Sequence, residues 1–395
     1  MPTTTDKNHL GTVPSTSPSR RSLPGPIQDL IHRPPKQNSF LDGLRSIAIL
    51  LVINVHYKNE FIALHGINFY SRLPFIDNGW IGVDLFFVLS GFFIGGQLWK
   101  ELRASHDIHI GKFILRRGFR IWPLYYVTYL AVLILNWQKA KVTGFGWSNL
   151  VFLTNYHYDD LVRGSWSLAT EEQFYILTPV LLYLFARKLR PSATRTFLWA
   201  LLLFLPCLRA LIWIHDTGHF RGLNEDLYQS MYIQFHTHCD GLIMGLILSN
   251  LWITRTSSAF PKWKSSALVA LSFVLLAVTH ELQPAVFNFF GLALFFGSLV
   301  WFGLTSHAKW FDSRIFYWIS RLSFGMYLNH FYLVVPVAER VMPHLNIFPA
   351  GSAAAQILGT LILTLASMAL SLVTFCLIEY PFLQLRSRLV ESHPA

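Results

Sequence analysis

Charge is what this chain has least of. Only 13% of its 395 residues are Asp, Glu, Lys or Arg, against about a quarter in ordinary soluble domains, which excludes that class. Cysteine is nearly absent as well. Cys207, Cys239 and Cys376 each lie in an apolar stretch, where they suit small core residues and supply no disulfide or zinc framework. The sequence shows no internal repeat of fixed period, which argues against an inverted-repeat architecture. No short apolar region follows the first positive charges before a full-length span, so a signal peptide is not expected. What fills the chain instead is apolar surface: 53% hydrophobic and 15% aromatic residues, with a mean hydropathy of +0.40. An integral membrane protein is expected.

Ten segments are apolar enough and near the roughly 20 residues needed to span: 43–62, 79–98, 121–138, 166–186, 197–215, 229–250, 266–281, 285–304, 322–340 and 353–378. The expected fold class is all-α, a polytopic membrane helix bundle of about ten transmembrane helices. With the N-terminus inside, 23 of the 32 basic residues fall on cytoplasmic pieces, 7 on outer ones, and Arg45 and Arg209 within spans. That bias puts both termini in the cytoplasm of a multi-pass protein of the cell (cytoplasmic) membrane. The net charge of +11 is thereby a topology signal, and no nucleic-acid partner is expected. Residues 1–38, rich in Pro, Ser, Thr and basic residues, read as a disordered cytoplasmic tail. A membrane domain follows over 39–385, then a short cytoplasmic tail over 386–395. Only 17 residues follow position 378, so no second soluble domain is expected.

The richest segment is LDGLRSIAILLVINVHY, residues 41–57. His56 lies eleven positions after Arg45, close to three helical turns, so both share a face about 16 Å apart along the axis. Charged and titratable groups inside a membrane-length apolar segment are costly and point to a buried functional site.

Four further stretches carry polar groups, each with a bland reading beside the functional one. GWIGVDLFFVLSGFFIGG (79–96) puts Asp84 in an apolar span beside Ser90 and several glycines; it is either a site carboxylate or one hydrogen-bonded Asp on a packing helix. KFILRRGFRIWPLYY (112–126) clusters Arg116, Arg117 and Arg120 before the third span. Guanidinium forks suit phosphate, yet basic residues and aromatics also anchor any cytoplasmic edge. Pro123 fits a first helical turn. SWSLATEEQFY (165–175) opens the fourth span with Glu171 and Glu172. Glu171 either orients a catalytic imidazole or holds an acceptor hydroxyl; alternatively, both acids simply complement the helix dipole. In FHTHCDGLIMG (235–245), His236, His238 and Asp240 raise a metal site, but no further ligand and no H-E-x-x-H pattern occurs, so polar packing is expected and no metal. SRLSFGMYLNHF (320–331) places Ser323 and Tyr327 on the face of His330, which either lines a cavity with His56 or bonds another helix. Glu379 to Phe382 is expected to stop the last helix at Pro381.

Taken in order, these motifs resemble the acyltransferase-3 family of integral membrane acyltransferases, from about residue 38 to 385. Arg45 and His56 match its first-helix Arg, ten residues, His; Gly79 to Gly91 match its G-x-x-G-V-D-L-F-F-V-L-S-G. Arg117, Arg120 and Pro123 match the R-x-x-R element before a proline, and Trp166, Ser167, Leu168, Glu171, Phe174 and Tyr175 the W-S-L-x-x-E-x-x-F-Y stretch. Tyr327, Leu328 and His330 match Y-L-x-H, while Glu379 and Pro381 match the terminal E-x-P. One departure is His238, where many relatives carry an arginine two residues before the Asp matched by Asp240, so that contact to donor or cofactor is changed here.

The resemblance implies transfer of an acyl group, commonly acetyl, from acyl-CoA as co-substrate, with no permanently bound cofactor. The acceptor is a hydroxyl on a carbohydrate, a glycolipid or a small metabolite, reached within the membrane lipids. His56 is the expected general base or transient acyl carrier, with Arg45 and Glu171 catalytic. Arg116, Arg117 and Arg120 are expected to hold the donor's phosphates. Asp84, His330 and Asp240 are expected to support, with Glu171 or Asp84 setting the His56 tautomer. A transporter or ion pathway is the alternative, since it too would bury such residues; a non-catalytic scaffold or sensor is a third.

Overall fold

The computed structural model describes residues 25–390 apart from 32, 35–36, 72, 143, 158–160, 187–189, 218–227, 256–259, 283, 307–308 and 346. The expected disordered tail lies largely on residues 1–24, outside the described residues, as do Arg187, Lys188 and Arg221 of the topology charges. Among the described residues every regular element is helical. The principal helices are α1 (Ser39–His65), α2 (Ile81–Ser105), α3 (Ile110–Leu135), α4 (Ser165–Leu181), α5 (Pro191–Thr217) and α6 (Asp240–Thr254). They continue with α7 (Lys262–Leu282), α8 (Pro284–Thr305), α9 (Arg314–Val335), α10 (Ala353–Thr374) and α11 (Tyr380–Leu389). Seven described helices are long and apolar enough to cross a membrane. The other three expected spans fall on α4, α6 and α9, which are shorter or carry more polar residues.

Local chemistry sets the helix ends. The Asn38 side chain accepts from the backbone N–H of Phe40 and Leu41, at 2.9 and 3.3 Å, to open α1, and Ser352 caps α10 through Ala355 N, satisfying donors a helix start leaves orphaned. Gly66, at φ +70°, closes α1 by returning its N–H to Ile62 O, a conformation that costs glycine little.

Three local expectations are corrected. Residues Pro26–Ile31, placed in the disordered tail, form a short helix packed on α9. Pro123 is not at a first turn: α3 starts at Ile110 and runs through it, because the basic amphipathic stretch before the proline is itself helical. Pro381 does not stop the chain either. A widened turn over Phe375–Glu379 leads straight into α11, where a proline in the first turn has no N–H to lose, and the helix extends to Leu389, into the expected C-terminal tail.

The tightest packing lies between α2 and α6, and glycine makes it possible. A Cβ on Gly91 would meet the backbone carbonyl of Leu242, and one on Gly245 would meet backbone of Val88 and Phe92. Around this seam α1 packs on α2, α9 and α10, while α8 packs on α6, α7 and α2. A clasp closes the opposite end of α1, where Lys58 Nζ donates to the Asp77 carboxylate at 2.9 Å and Asn68 Nδ2 to the same oxygen at 2.9 Å.

Two outcomes follow from this packing. Gly91→Ala is expected to lower the unfolding temperature in detergent by an overpacking cost of about 1–3 kcal/mol, whereas Gly96→Ala, at a position facing open space, leaves it unchanged. The bonds from Lys58 and Asn68 hold the Asp77 carboxyl below its usual range. The clasp therefore contributes its stability above the unfolded carboxyl pKa of about 3.9 and loses it as pH falls through the lower folded value. Asp77→Asn should flatten that acid limb of a melting-temperature-versus-pH curve.

Candidate active site

A cavity of about 630 Å³ lies among the N-terminal parts of α1, α3 and α9 and the C-terminal ends of α2 and α6, and reaches inward to α4. Its wall holds Lys100 of α2, Arg45 of α1, Arg117 and Arg120 of α3, and Arg321 of α9, against the carboxylates Asp42 and Glu171. Five cations facing two anions give its lining a surplus of positive charge, and guanidinium groups suit phosphate. Arg45 lies over the Phe93 ring at 5.2 Å and Arg117 over the Tyr175 ring at 5.6 Å, and Arg117 Nη2 donates to Gln97 at 3.2 Å. Glu171 accepts from Tyr175 O–H at 2.8 Å, with Ser90 against the same hydroxyl at 2.9 Å, inside the fields of Arg45 and Arg117. Arg120 lies in the fields of Arg321 and of the buried Glu379.

The deep wall contains Phe87, Ser167 and Tyr327. Tyr327 O–H lies 2.5 Å from Ser167 Oγ and donates to Gly164 O at 3.0 Å, so a hydroxyl pair closes the inner chamber. Beyond it, the Tyr327 ring adjoins that of His330 at 5.9 Å, and His330 adjoins His56 at 5.2 Å. Phe331 covers His56 at 4.4 Å, and Arg163 is the charged group acting on it. Arg45 and His56 thus share the unbroken helix α1, but Arg45 lines the chamber and His56 stands past its end.

Several expected roles are redistributed. Arg117 and Arg120 line the chamber, whereas Arg116 is not among its lining residues. Each carboxylate expected to set the His56 tautomer bonds a different group. Glu171 is held by Tyr175, and Asp84 accepts from His238 Nε2 at 2.9 Å, both groups buried. Asp240 receives a two-pronged bond from Arg209 at 2.8 and 3.0 Å, whose Nε also donates to Val286 O at 2.7 Å. His236 turns away to Tyr156 at 3.0 Å, so the three candidate ligands of 236–240 diverge. His330, by contrast, does stand against His56.

Sequence reasoning counted Arg321 and Lys100 as topology charges, and placed Arg209 within a span without giving it a role. For Arg209 the signal was present: a guanidinium inside an apolar helix needs a buried acceptor, and Asp240 supplies it. Arg321 and Lys100 lie at helix ends, where nothing local separates a site cation from an anchor. Arg209→Met is expected to cost about 3–5 kcal/mol by leaving Asp240 buried and unpaired, and Arg209→Met with Asp240→Leu to regain much of it. Chemical denaturation of the purified variants measures both, and strictly additive losses would refute the coupling.

Comparison with known proteins meets this geometry. The chain is 27% identical over 343 residues to the peptidoglycan O-acetyltransferase OatA of Listeria monocytogenes, covering 77% of this chain and 51% of that protein. Two relatives with provisional names are an O-acetyltransferase of Staphylococcus aureus strain COL, 26% identical over 325 residues (74% of this chain, 50% of the relative), and the peptidoglycan O-acetyltransferase YrhL of Bacillus subtilis strain 168, 25% identical over 334 residues (76% and 49%). The chain spans about half the length of these curated relatives. No solved structure matches it. A family model described as an acyltransferase domain matches residues 38–376, a stretch that takes in the cationic chamber, the Tyr327 wall and the His56–His330 pair, and this integral membrane protein belongs to that acyltransferase-3 family.

Proposed function

We propose that this enzyme moves an acetyl group from acetyl-CoA, bound from the cytoplasm, to a hydroxyl of a carbohydrate acceptor at the outer side of the cytoplasmic membrane. The observation that carries this reading is the cationic chamber, which opens among the helix ends that the positive-inside bias assigns to the cytoplasm. Its volume of about 630 Å³ falls within the roughly 300–1,000 Å³ of ligand pockets. Two of the named relatives are called peptidoglycan O-acetyltransferases, which favours a cell-wall glycan over a small metabolite.

Arg117, Arg120, Arg321 and Lys100 hold the donor's phosphates at the mouth. The pantetheine arm runs past Arg45 and Glu171 and brings the thioester to the Tyr327 wall. His56, approached by the acceptor from the other side, removes the hydroxyl proton as general base. The oxygen attacks the thioester carbonyl, the carbon–sulfur bond breaks, and the CoA thiolate takes up the proton that His56 received. Ester and CoA are the products, and His56 returns to its neutral form.

Turnover of radiolabelled acetyl-CoA with a soluble glycan acceptor, in nanodiscs, tests this. His56→Ala should lose about 10²–10⁴-fold in kcat with donor binding kept. Arg117→Ala and Arg120→Ala should each raise the donor KM by about 10–100-fold, as expected for a charge-assisted contact of about 1.5–3 kcal/mol. Undiminished turnover in His56→Ala would sink the base assignment. A wild-type protein that neither binds nor consumes acyl-CoA would bring the transport alternative forward.

A further inference from the structure

The group against His56 is another imidazole, and its chemistry is unusually constrained. His330 is wholly buried on α9. Its Nδ1 lies 3.1 Å from the backbone carbonyl of Met326, an oxygen that only accepts, so Nδ1 carries the proton. Neutral His330 therefore presents Nε2 as a bare acceptor, and that atom is buried without a hydrogen-bond partner in the structure. A buried acceptor left without a donor is costly, and its place beside His56 asks for one.

The donor within reach is His56. The ring centroids stand 5.2 Å apart, tilted by 45°. Two imidazoles joined nitrogen to nitrogen by a hydrogen bond of about 2.9 Å stand with their centres about this far apart, so the separation admits such a bond once the His56 ring is turned to it. The other titratable or charged groups about the pair are Arg163, which acts on His56, and Tyr327 of α9. Neither is a carboxylate, and Asp84 and Glu171 are held elsewhere.

We propose that His330 is the positioning residue of His56, a role commonly filled by a carboxylate. Its Nε2 accepts the N–H of His56, fixing which nitrogen of His56 is protonated and turning the other, bare nitrogen to the acceptor hydroxyl. This rests on the assignment of His56 as base. The fixed Nδ1–H of His330, tied to Met326 O, gives the relay one direction only: His330 can orient His56 and stabilise its imidazolium, and it does not itself contact the substrate.

The test uses the full chain in nanodiscs with ¹⁵N-labelled histidine and acetyl-CoA turnover. His330→Ala should lower kcat at least about tenfold while the acetyl-CoA KM stays unchanged, and His330→Gln, whose Oε1 can accept the same N–H, should recover part of the loss. In the nitrogen spectrum His56 should show one tautomer in the wild type and in His330→Gln, and a mixture in His330→Ala. The spectrum is read even if a variant is inactive, and retained acetyl-CoA binding shows that it is folded. An unchanged His56 tautomer in His330→Ala overturns the proposal. If His56→Ala is inactive while His330→Ala turns over like the wild type, the positioning role falls and the base assignment stands. If His56→Ala is fully active, both fall.

Discussion

A charge kept out of water must be answered where it sits, and this bundle is arranged around that requirement. In hydrocarbon or a dry protein interior the cost of an unpaired ion exceeds most of what packing can supply. Arg209 meets it with the two oxygens of Asp240 and two backbone carbonyls. Asp84 meets it with His238, ringed by Phe289, Phe87 and Trp166. The Arg209–Asp240 pair is closed by four bonds, whereas Asp84 bonds His238 through one carboxylate oxygen and leaves the other buried without a partner. The chamber is built on the opposite balance, with Arg45, Arg117, Arg120, Arg321 and Lys100 outnumbering Asp42 and Glu171. In the proposed function that surplus of one sign along the chamber wall is what a ligand of the other sign meets.

Packing explains why the chamber lies where it does. The α2–α6 seam is closed by glycines whose replacement would strike backbone, and α8 and α1 fill in around it. On the other side α3 meets its neighbours much less extensively, because its inner half carries guanidinium side chains rather than small residues. Bulky cations hold helices apart where glycine draws them together. One half of the molecule is therefore a tight frame, and the other an open mouth whose wall is basic.

Much of this was legible from the residues. Membrane class followed from composition, and Arg45 with His56 stood out because polar groups in apolar helices are rare and costly. Partners were not legible. Asp84 and His238 lie 154 positions apart, and nothing local says that Asp84 belongs to that histidine rather than to His56. Prolines misled in a consistent way. Pro123 and Pro381 carry the signature of a boundary, but whether a helix ends there depends on what precedes and follows, and here helix continues on both sides. Residues 229–250 read as a single span, yet a short widened helical turn over Tyr228–Ile233 breaks off and α6 begins only at Asp240; within the break the Thr237 carbonyl accepts from Arg209.

The two helices that meet at the histidine pair repeat one pattern. Helix α1 carries Arg45 in the chamber and His56 beyond it; α9 carries Arg321 in the chamber and His330 beyond it. The spacings of eleven and nine residues correspond to rises of about 16 and 14 Å, and because both cations face the chamber and both imidazoles face each other, the helices run in the same direction. Tyr327, two turns beyond Arg321, lies between these levels and belongs to the chamber wall. In the proposed mechanism a phosphate-bearing donor gripped at the lower level projects its reactive end toward Tyr327, while the imidazoles are reached from past it. A rigid pair of parallel helices fixes the distance between the place where the donor is held and the place where a proton is taken, and in the proposed mechanism that fixed distance is what couples one side of the membrane to the other.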